Sequence, residues 1–192
     1  MKKIKIAIIG SGGHAKSCIE VIEGIKNIEI IGLIDNDIRK KIYKYKVICS
    51  DNNISKLKKI TNNLVLGVGS LNDNSKRIRI FQRYKKLGFN FPTLISRNSF
   101  ISKRAKIEEG TVIFNDVFIN SGSFIGKNCI INNKTLIEHD VKIHDHCHIS
   151  TAVVVNGNCE IGEGSFVGSR SVLLNDLKIK KKSFIKMGSI KK

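Results

Sequence analysis

Residues 131–160 read INNKTL-IEHDVK-IHDHCH-ISTAVV-VNGNCE, and every block of six opens with isoleucine or valine. The series runs without a miss through Ile101, Ile107, Ile113, Ile119, Ile125, Ile131, Ile137, Ile143, Ile149, Val155, Ile161, Val167, Leu173, Ile179 and Ile185. A period of six is neither the 3.6 of a helix nor the 2 of an amphipathic strand. Internal repeats of this length mark a β-helix. The fourth residue after each aliphatic is mostly small or modest, as at Ala105, Thr111, Ser123, Cys129, Thr135, Cys147, Cys159, Ser165 and Ser171. Each hexad therefore reads as a short strand and a bend, with the branched residue inward and three hexads closing one triangular coil.

Before the repeat the pattern changes. Ile4–Ile9 reads as a buried strand, Gly10-Ser11-Gly12-Gly13 as a glycine turn, and His14 to about Ile25 as a helix. Ile28–Ile34 is a second strand ending at Asp35-Asn36-Asp37, and a basic, Asn-rich stretch follows. A strand at Leu64–Val68, the turn Gly69-Ser70 and a helix over Asn72–Leu87, with Ile78, Phe81 and Leu87 on one side, complete this half. Alternating strands and helices predict a small parallel α/β sheet. The expected domains are residues 1–95, Rossmann-like, and residues 96–192, a β-helix.

A glycine turn between a first strand and a helix offers backbone N–H groups to phosphate. Gly10-Ser11-Gly12-Gly13-His14-Ala15 approximates G-x-G-x-x-A, and Asp35 at the end of the next strand is placed to accept bonds from a ribose or base. A tight turn with a capping acid explains the same residues equally simply. About four strands are too few for a full dinucleotide fold, so a mononucleotide or nucleotide-sugar fits better than NAD.

The chain has 192 residues, a formal charge of +18, one proline and no tryptophan. Lys, Ile and Asn are over-used together, which reads as coding bias, and no aromatic platform interleaves the lysines; nucleic-acid binding is not expected. No apolar run approaches the ~18 residues of a membrane span, so no membrane insertion and a cytoplasmic location are expected. Cys129, Cys147 and Cys159 fall on the small inward position as fillers, and Cys18 and Cys49 have no ligand spacing around them.

Four of the five histidines lie within residues 139–148. His144, His146 and His148 alternate as zinc ligands on a strand would, but the hexad bends before the series ends. Acid–base work fits better: His139 is followed directly by Asp140, a carboxylate beside an imidazole fixes its tautomer, and an ordinary imidazole titrates near ~6.5. No metal is expected.

On Gly10–Ala15, Asp35, Gly67-Val68-Gly69, the hexads and Ile137-Glu138-His139-Asp140, the chain resembles the bacterial sugar O-acyltransferase family. These proteins join a Rossmann-like domain to a left-handed parallel β-helix and include sialic acid O-acetyltransferases and UDP-4-amino-sugar N-acetyltransferases. The resemblance implies His139 as general base and Asp140 as its polarising acid. It implies acetyl-CoA as co-substrate, with His148, Gly157 and Ser169 on the coenzyme. Gly12, Gly13, His14 and Gly69 would lie around the sugar-nucleotide phosphates, with Asp35 and Asn36 on the base. It also implies a homotrimer with sites between subunits, covering coil faces that carry Phe118 and Phe124.

The expected function is N-acetylation of a UDP-linked amino sugar, with sialic acid-type O-acetylation or a non-catalytic nucleotide-sugar-binding β-helix as alternatives. Two features depart from the family: Ala152 and Val153 stand where many relatives have glycine, and the chain stops at Lys192, in the last coil. A naturally short or a truncated member would look alike, and either weakens the expected hold on coenzyme A.

Overall fold

The computed structural model describes residues 3–50, 53–70 and 73–192. They form two compact units, one of residues 1–69 and 75–92, the other of residues 70–74 and 93–192.

In the first unit, β1 (Ile4–Ile9), β2 (Ile28–Ile34), β3 (Lys41–Ile42), β4 (Tyr45–Cys49) and β5 (Asn63–Leu66) make one sheet, in the order β3-β4-β2-β1-β5. Strand β1 is central because Ile6, Ala7, Ile8 and Ile9 are apolar on both faces, and all four are buried. Helix α1 (Gly13–Glu23) follows it. The pair matches the G-x-G-x-x-A pattern for a steric reason. A Cβ on Gly67 would lie 2.7 Å from Ile8 Cγ2 and 2.8 Å from Ala15 Cβ, so a small residue and a glycine let the helix close on the strands.

The small parallel sheet expected from the sequence forms as β4-β2-β1-β5, and β3 is added at its edge. Strands β3 and β4 are antiparallel, a hairpin turning at Tyr43, whose φ is 52°. The stretch Lys40–Lys46 mixes four lysines with Ile42, Tyr43 and Tyr45, as an edge strand does when charge guards it against pairing with another chain. A short helix, α2 (Ile54–Lys58), forms within the basic, Asn-rich stretch. Helix α3 (Ser75–Lys86) buries Arg77, Phe81 and Tyr84, whereas Leu87 lies past its end and is 40% exposed; Asn72, where its start was expected, lies outside the described residues. Arg77 is inside because its guanidinium donates to the carbonyls of Leu66 and Val68 at 3.0 and 2.7 Å. Phe81 packs on Phe91 with ring centroids 4.7 Å apart.

The second unit is a left-handed parallel β-helix. Two-residue strands from Leu94–Ile95 to Ile190–Lys191 stack into three parallel sheets. Each residue pairs with the one eighteen further on, as in Phe100↔Phe118↔Leu136 and Ile130↔His148↔Phe166. Up to Phe184–Ile185 the second residue of each strand is the hexad aliphatic, and Ile113, Ile119, Ile125, Ile131, Ile137, Ile143 and Ile149 are fully buried. The first points outward, so the three outer faces differ. One carries Phe100, Phe118, Leu136, Val154, Val172 and Ile190; the next Lys106, Phe124, Lys142, Glu160 and Lys178; the third Leu94, Val112, Ile130, His148, Phe166 and Phe184.

The small inward residues do more than fill space. Thr111, Ser123, Thr135, Ser165 and Ser171 each donate their hydroxyl to a carbonyl fifteen residues on, in the next coil. Cys129, Cys147 and Cys159 donate their thiols in the same way, at 3.2, 3.2 and 2.9 Å. Burial pushes the Cys129 thiol well above its ordinary range and raises Cys159 too, which keeps both as protonated donors rather than nucleophiles. Among the described residues no helix is long and apolar enough to cross a membrane.

Ile143→Ala is expected to destabilise the β-helix by about 2–5 kcal/mol, the usual cost of emptying a packed core site. Its exposed neighbour Lys142→Ala should stay within about 0.5 kcal/mol of wild type. Thermal and urea unfolding check the pair, and equal losses at both sites would contradict the inward assignment.

Candidate active site

The turns between the Phe118 face and the Lys142 face stack into one corner. From coil to coil it reads Ser121-Gly122, His139-Asp140, Gly157-Asn158 and Asn175-Asp176. Each turn needs a left-handed residue at its second place, where φ is 74° at Gly122, 59° at Asp140, 59° at Asn158 and 65° at Asp176. Asp and Asn tolerate that region because their short side chains bond locally. The backbone links the turns, with Asp140 N donating to Ser121 O, Asn158 N to His139 O and Asp176 N to Gly157 O, each at 3.0 Å.

His139 Nδ1 lies 3.0 Å from Asp140 Oδ2. An ionised carboxylate can only accept, so Nδ1 is the donor, and in the neutral imidazole Nε2 is the nitrogen that presents a lone pair. Nε2 has no hydrogen bond among the described residues. The ring is placed by two glycines. A Cβ on Gly157, one coil on, would lie 2.7 Å from both Cε1 and Nε2 of His139, so the imidazole occupies the space that only glycine leaves. A Cβ on Gly122, one coil back, would collide with Oδ1 of Asp140. Gly122 was not anticipated from the sequence, yet a step of one coil back from Asp140 leads straight to it. The side chains of His139 and Asp140 are 58% and 64% exposed, so the dyad is open to solvent.

Backbone hydrogen bonding adds an unused donor. At two other corners the N–H of the first turn residue bonds a side chain one coil on: Asn115 to Asn133 Oδ1 at 3.0 Å and Lys127 to Asp145 Oδ1 at 2.8 Å. The Gly157 N–H makes no such bond among the described residues. A base with a free lone pair, a carboxylate behind it and an uncommitted N–H beside it are the parts for moving a proton off a nucleophile while steadying an oxyanion.

His148 and Ser169 are elsewhere in this unit. His148 lies on the third face, across the coil from the His139 corner. It is buried, its Nδ1 donates to Ser70 O at 2.5 Å, and its ring meets Phe166 edge-on at 5.0 Å. Ser169 sits at the far edge of the Phe118 face, with Oγ 2.9 Å from Ser150 Oγ. One chain thus brings together His139, Asp140 and Gly157, but not His148 or Ser169. The alternating histidines point apart. His144 Nε2 bonds Glu160 Oε1 at 2.6 Å, and that bond is the main reason the Glu160 carboxyl sits below its ordinary range. His146 is buried, accepting from Asn128 at 3.0 Å. No group of three or more ligating side chains suited to a metal occurs among the described residues.

In the first unit, Gly12 caps α1 with no side-chain bond to its first turn, and a Cβ on Gly12 or Gly13 would meet nothing within 4 Å. The helix N-terminus is therefore open to an anion. His14 lines the same turn, its Cβ 3.2 Å from where a Cβ on Gly69 would stand. Asp35 accepts from Ser11 Oγ at 2.5 Å, Asp37 N at 3.1 Å and Lys40 Nζ at 3.4 Å. Burial alone would raise its pKa, but these donors outweigh that and hold it below the ordinary carboxylate range. Asn36 beside it is exposed.

Residues 5–84 match the PglD N-terminal domain and residues 95–190 the GMPPB C-terminal domain. Among solved structures the chain is similar to PerB from Caulobacter crescentus in complex with CoA and GDP-perosamine: 24% identity and a TM-score of 0.89 over 97% of this chain and 87% of that one. It is similar to the acetyltransferase domain of PglB from Neisseria gonorrhoeae in complex with acetyl coenzyme A, at 25% identity and a TM-score of 0.89 over 97% and 89% of the two chains. WeeI from Acinetobacter baumannii matches at 17% identity and a TM-score of 0.60, over 92% and 94%.

Gly157→Ala is expected to evict the His139 ring from its place while leaving the fold intact, since Gly157 is not among the residues with positive φ. The His139 ring resonances in a proton–carbon NMR spectrum should move, with the melting temperature nearly unchanged. Unmoved ring resonances would show that the imidazole does not rest on this glycine.

Proposed function

The chain belongs to the hexapeptide-repeat left-handed β-helix family, its GMPPB-type β-helix joined to a PglD-type N-terminal unit, and from that we propose that it transfers an acetyl group from acetyl-CoA to the amino group of a nucleotide-linked sugar. The observation that carries the reading is the His139–Asp140 pair, with Nδ1 3.0 Å from the carboxylate and the ring held over Gly157. The neutral amine attacks the thioester carbonyl and its proton passes to Nε2. Asp140 stabilises the imidazolium, and the Gly157 N–H donates to the oxygen that becomes negative. Collapse breaks the C–S bond, and the thiolate leaving as coenzyme A takes the proton back from His139. No acyl-enzyme is needed, and every cysteine is buried.

The Gly12–Gly13 turn, with His14 and Gly69, takes the phosphates of the sugar nucleotide, and Asp35 and Asn36 take its base. UDP is our first choice, although PerB carries GDP-perosamine.

The site is completed in a homotrimer. The row of first strand residues on the Phe118 face is apolar from Phe100 to Ile190, with Phe100 55%, Phe118 38% and Ile190 67% exposed. Its two edges are the His139 corner and the Ser169 corner. If this face of each copy lines a three-fold axis, the Ser169 edge of one copy meets the His139 corner of the next. Acetyl-CoA then runs between them, and water is kept from the exposed dyad. Sedimentation showing only monomer at assay concentration would reject this assembly.

Thiol release from acetyl-CoA with a panel of UDP- and GDP-linked amino sugars and free sialic acids tests the acceptor; release with sialic acids alone overturns N-acetylation. On the best acceptor, His139→Ala should lower kcat by roughly 10²–10⁴-fold with KM little changed. Asp140→Asn should cost less, because it tunes the proton transfer and does not perform it. Near-normal turnover by His139→Ala would remove the assigned base.

Gly13→Val should raise KM for the sugar nucleotide and leave acetyl-CoA binding unchanged, since the new side chain fills open space in front of the α1 N-terminus. Calorimetry with each ligand decides it; the opposite pattern would reverse the assignment of ligands to the two units.

A further inference from the structure

Asn175 follows Gly157 by one coil at the His139 corner and belongs to none of the motifs read from the sequence. The space that a Gly157 Cβ would fill lies 2.7 Å from His139 Nε2 and 3.3 Å from Asn175 Nδ2. The base and a side-chain amide therefore share one small hollow, floored by a glycine.

Several other carboxamides at the corners and strand ends are committed to the coil. Asn133 accepts from the Asn115 backbone N–H, Asn158 donates to Asp176 Oδ1 at 2.7 Å, and Asn156 donates to Leu173 O at 2.9 Å. By the corner pattern Asn175 Oδ1 ought to accept from the Gly157 N–H, yet neither group bonds the other. Among the described residues the Asn175 amide makes no hydrogen bond, and the chain is left with two unspent donors at one hollow: a backbone N–H and a carboxamide. Two donors and a base around a common point are what the collapse of a carbonyl to a tetrahedral oxyanion requires.

We propose that Asn175 is a catalytic residue of this site, its Nδ2 donating, together with the Gly157 N–H, to the thioester oxygen as that oxygen gains negative charge. The inference rests on the acetyl-transfer reading above. The amine nitrogen bonds the carbonyl carbon, its proton goes to His139 Nε2, and the carbonyl π pair moves onto the oxygen between the two donors. The pair returns as the C–S bond breaks. Asn175 itself gains and loses no proton. A neutral donor suits this place, because it stabilises the oxyanion without a charge that would disfavour the imidazolium formed at His139 in the same step.

The test compares Asn175→Ala and Asn175→Asp with wild type on acetyl-CoA and the best acceptor of the panel, reading kcat, KM and melting temperature. The Asp variant keeps an acceptor for the Gly157 N–H but has no donor, so it separates an oxyanion role from a backbone clamp. Both variants should lose about 10²–10³-fold in kcat, the range for removing one oxyanion donor, with KM and melting temperature little changed. Wild-type kcat in Asn175→Asp, or activity lost only in step with melting temperature, overturns the proposal. Failure of the wild-type protein to turn over any acceptor would overturn the acetyl-transfer reading itself, and is distinguishable because it precedes any variant.

Discussion

The eighteen-residue register of the coil is the constraint on which everything else in the second unit depends. Parallel strands two residues long hold little by themselves. What fixes them is a backbone ladder from each residue to the next coil, together with a continuous buried column of Ile, Val and Leu. A shift of one residue would turn that column outward and bury the lysines, so the register is strongly specified. The inward hydroxyls and thiols reinforce it, since each bonds a carbonyl of the next coil only when the coils are in step.

Once coils are locked, side chains far apart in sequence become neighbours at fixed offsets. The His139 corner shows the consequence. Gly122, Asp140, His139, Gly157 and Asn175 come from four successive coils, and no loop has to fold around them. Two missing side chains make the room, and the left-handed turn at Asp140 sets its carboxylate beside the imidazole. A rigid scaffold of this kind can hold donors to within about 0.5 Å without ordering a loop. Exposure is the corresponding weakness, because a corner of a prism cannot exclude water without a neighbour or a ligand.

The first unit works by a different device. The start of α1 presents backbone N–H groups left uncovered by Gly12 and Gly13, while Gly67 and Ala15 let the helix approach the strands. Asp35 is held ionised by Ser11, Asp37 N and Lys40, so it presents an acceptor whose position does not depend on a ligand. The formal charge of +18 adds a general attraction for anions but selects none, because exposed lysines act through water and salt.

The sequence alone determined the β-helix, since a six-residue period repeats an inward position that no other regular backbone could satisfy. It also determined the neighbours His139 and Asp140, which are adjacent in the chain and need no fold to meet, and the glycine turn before α1. Other features were decided only in three dimensions. The β3–β4 hairpin is antiparallel because the two-residue turn Tyr43-Lys44 joins its strands, and its lysine-rich pattern resembles loop. Leu87 is exposed because α3 ends before it and Arg77 takes an inward place by capping strand carbonyls. His148 and His139 are nine residues apart yet lie on opposite sides of the coil, since half a turn of a triangular prism reverses direction. The glycine beneath the imidazole and the amide of Asn175 became visible only when coils were stacked, because contact between coils depends on an offset of eighteen that no local pattern expresses.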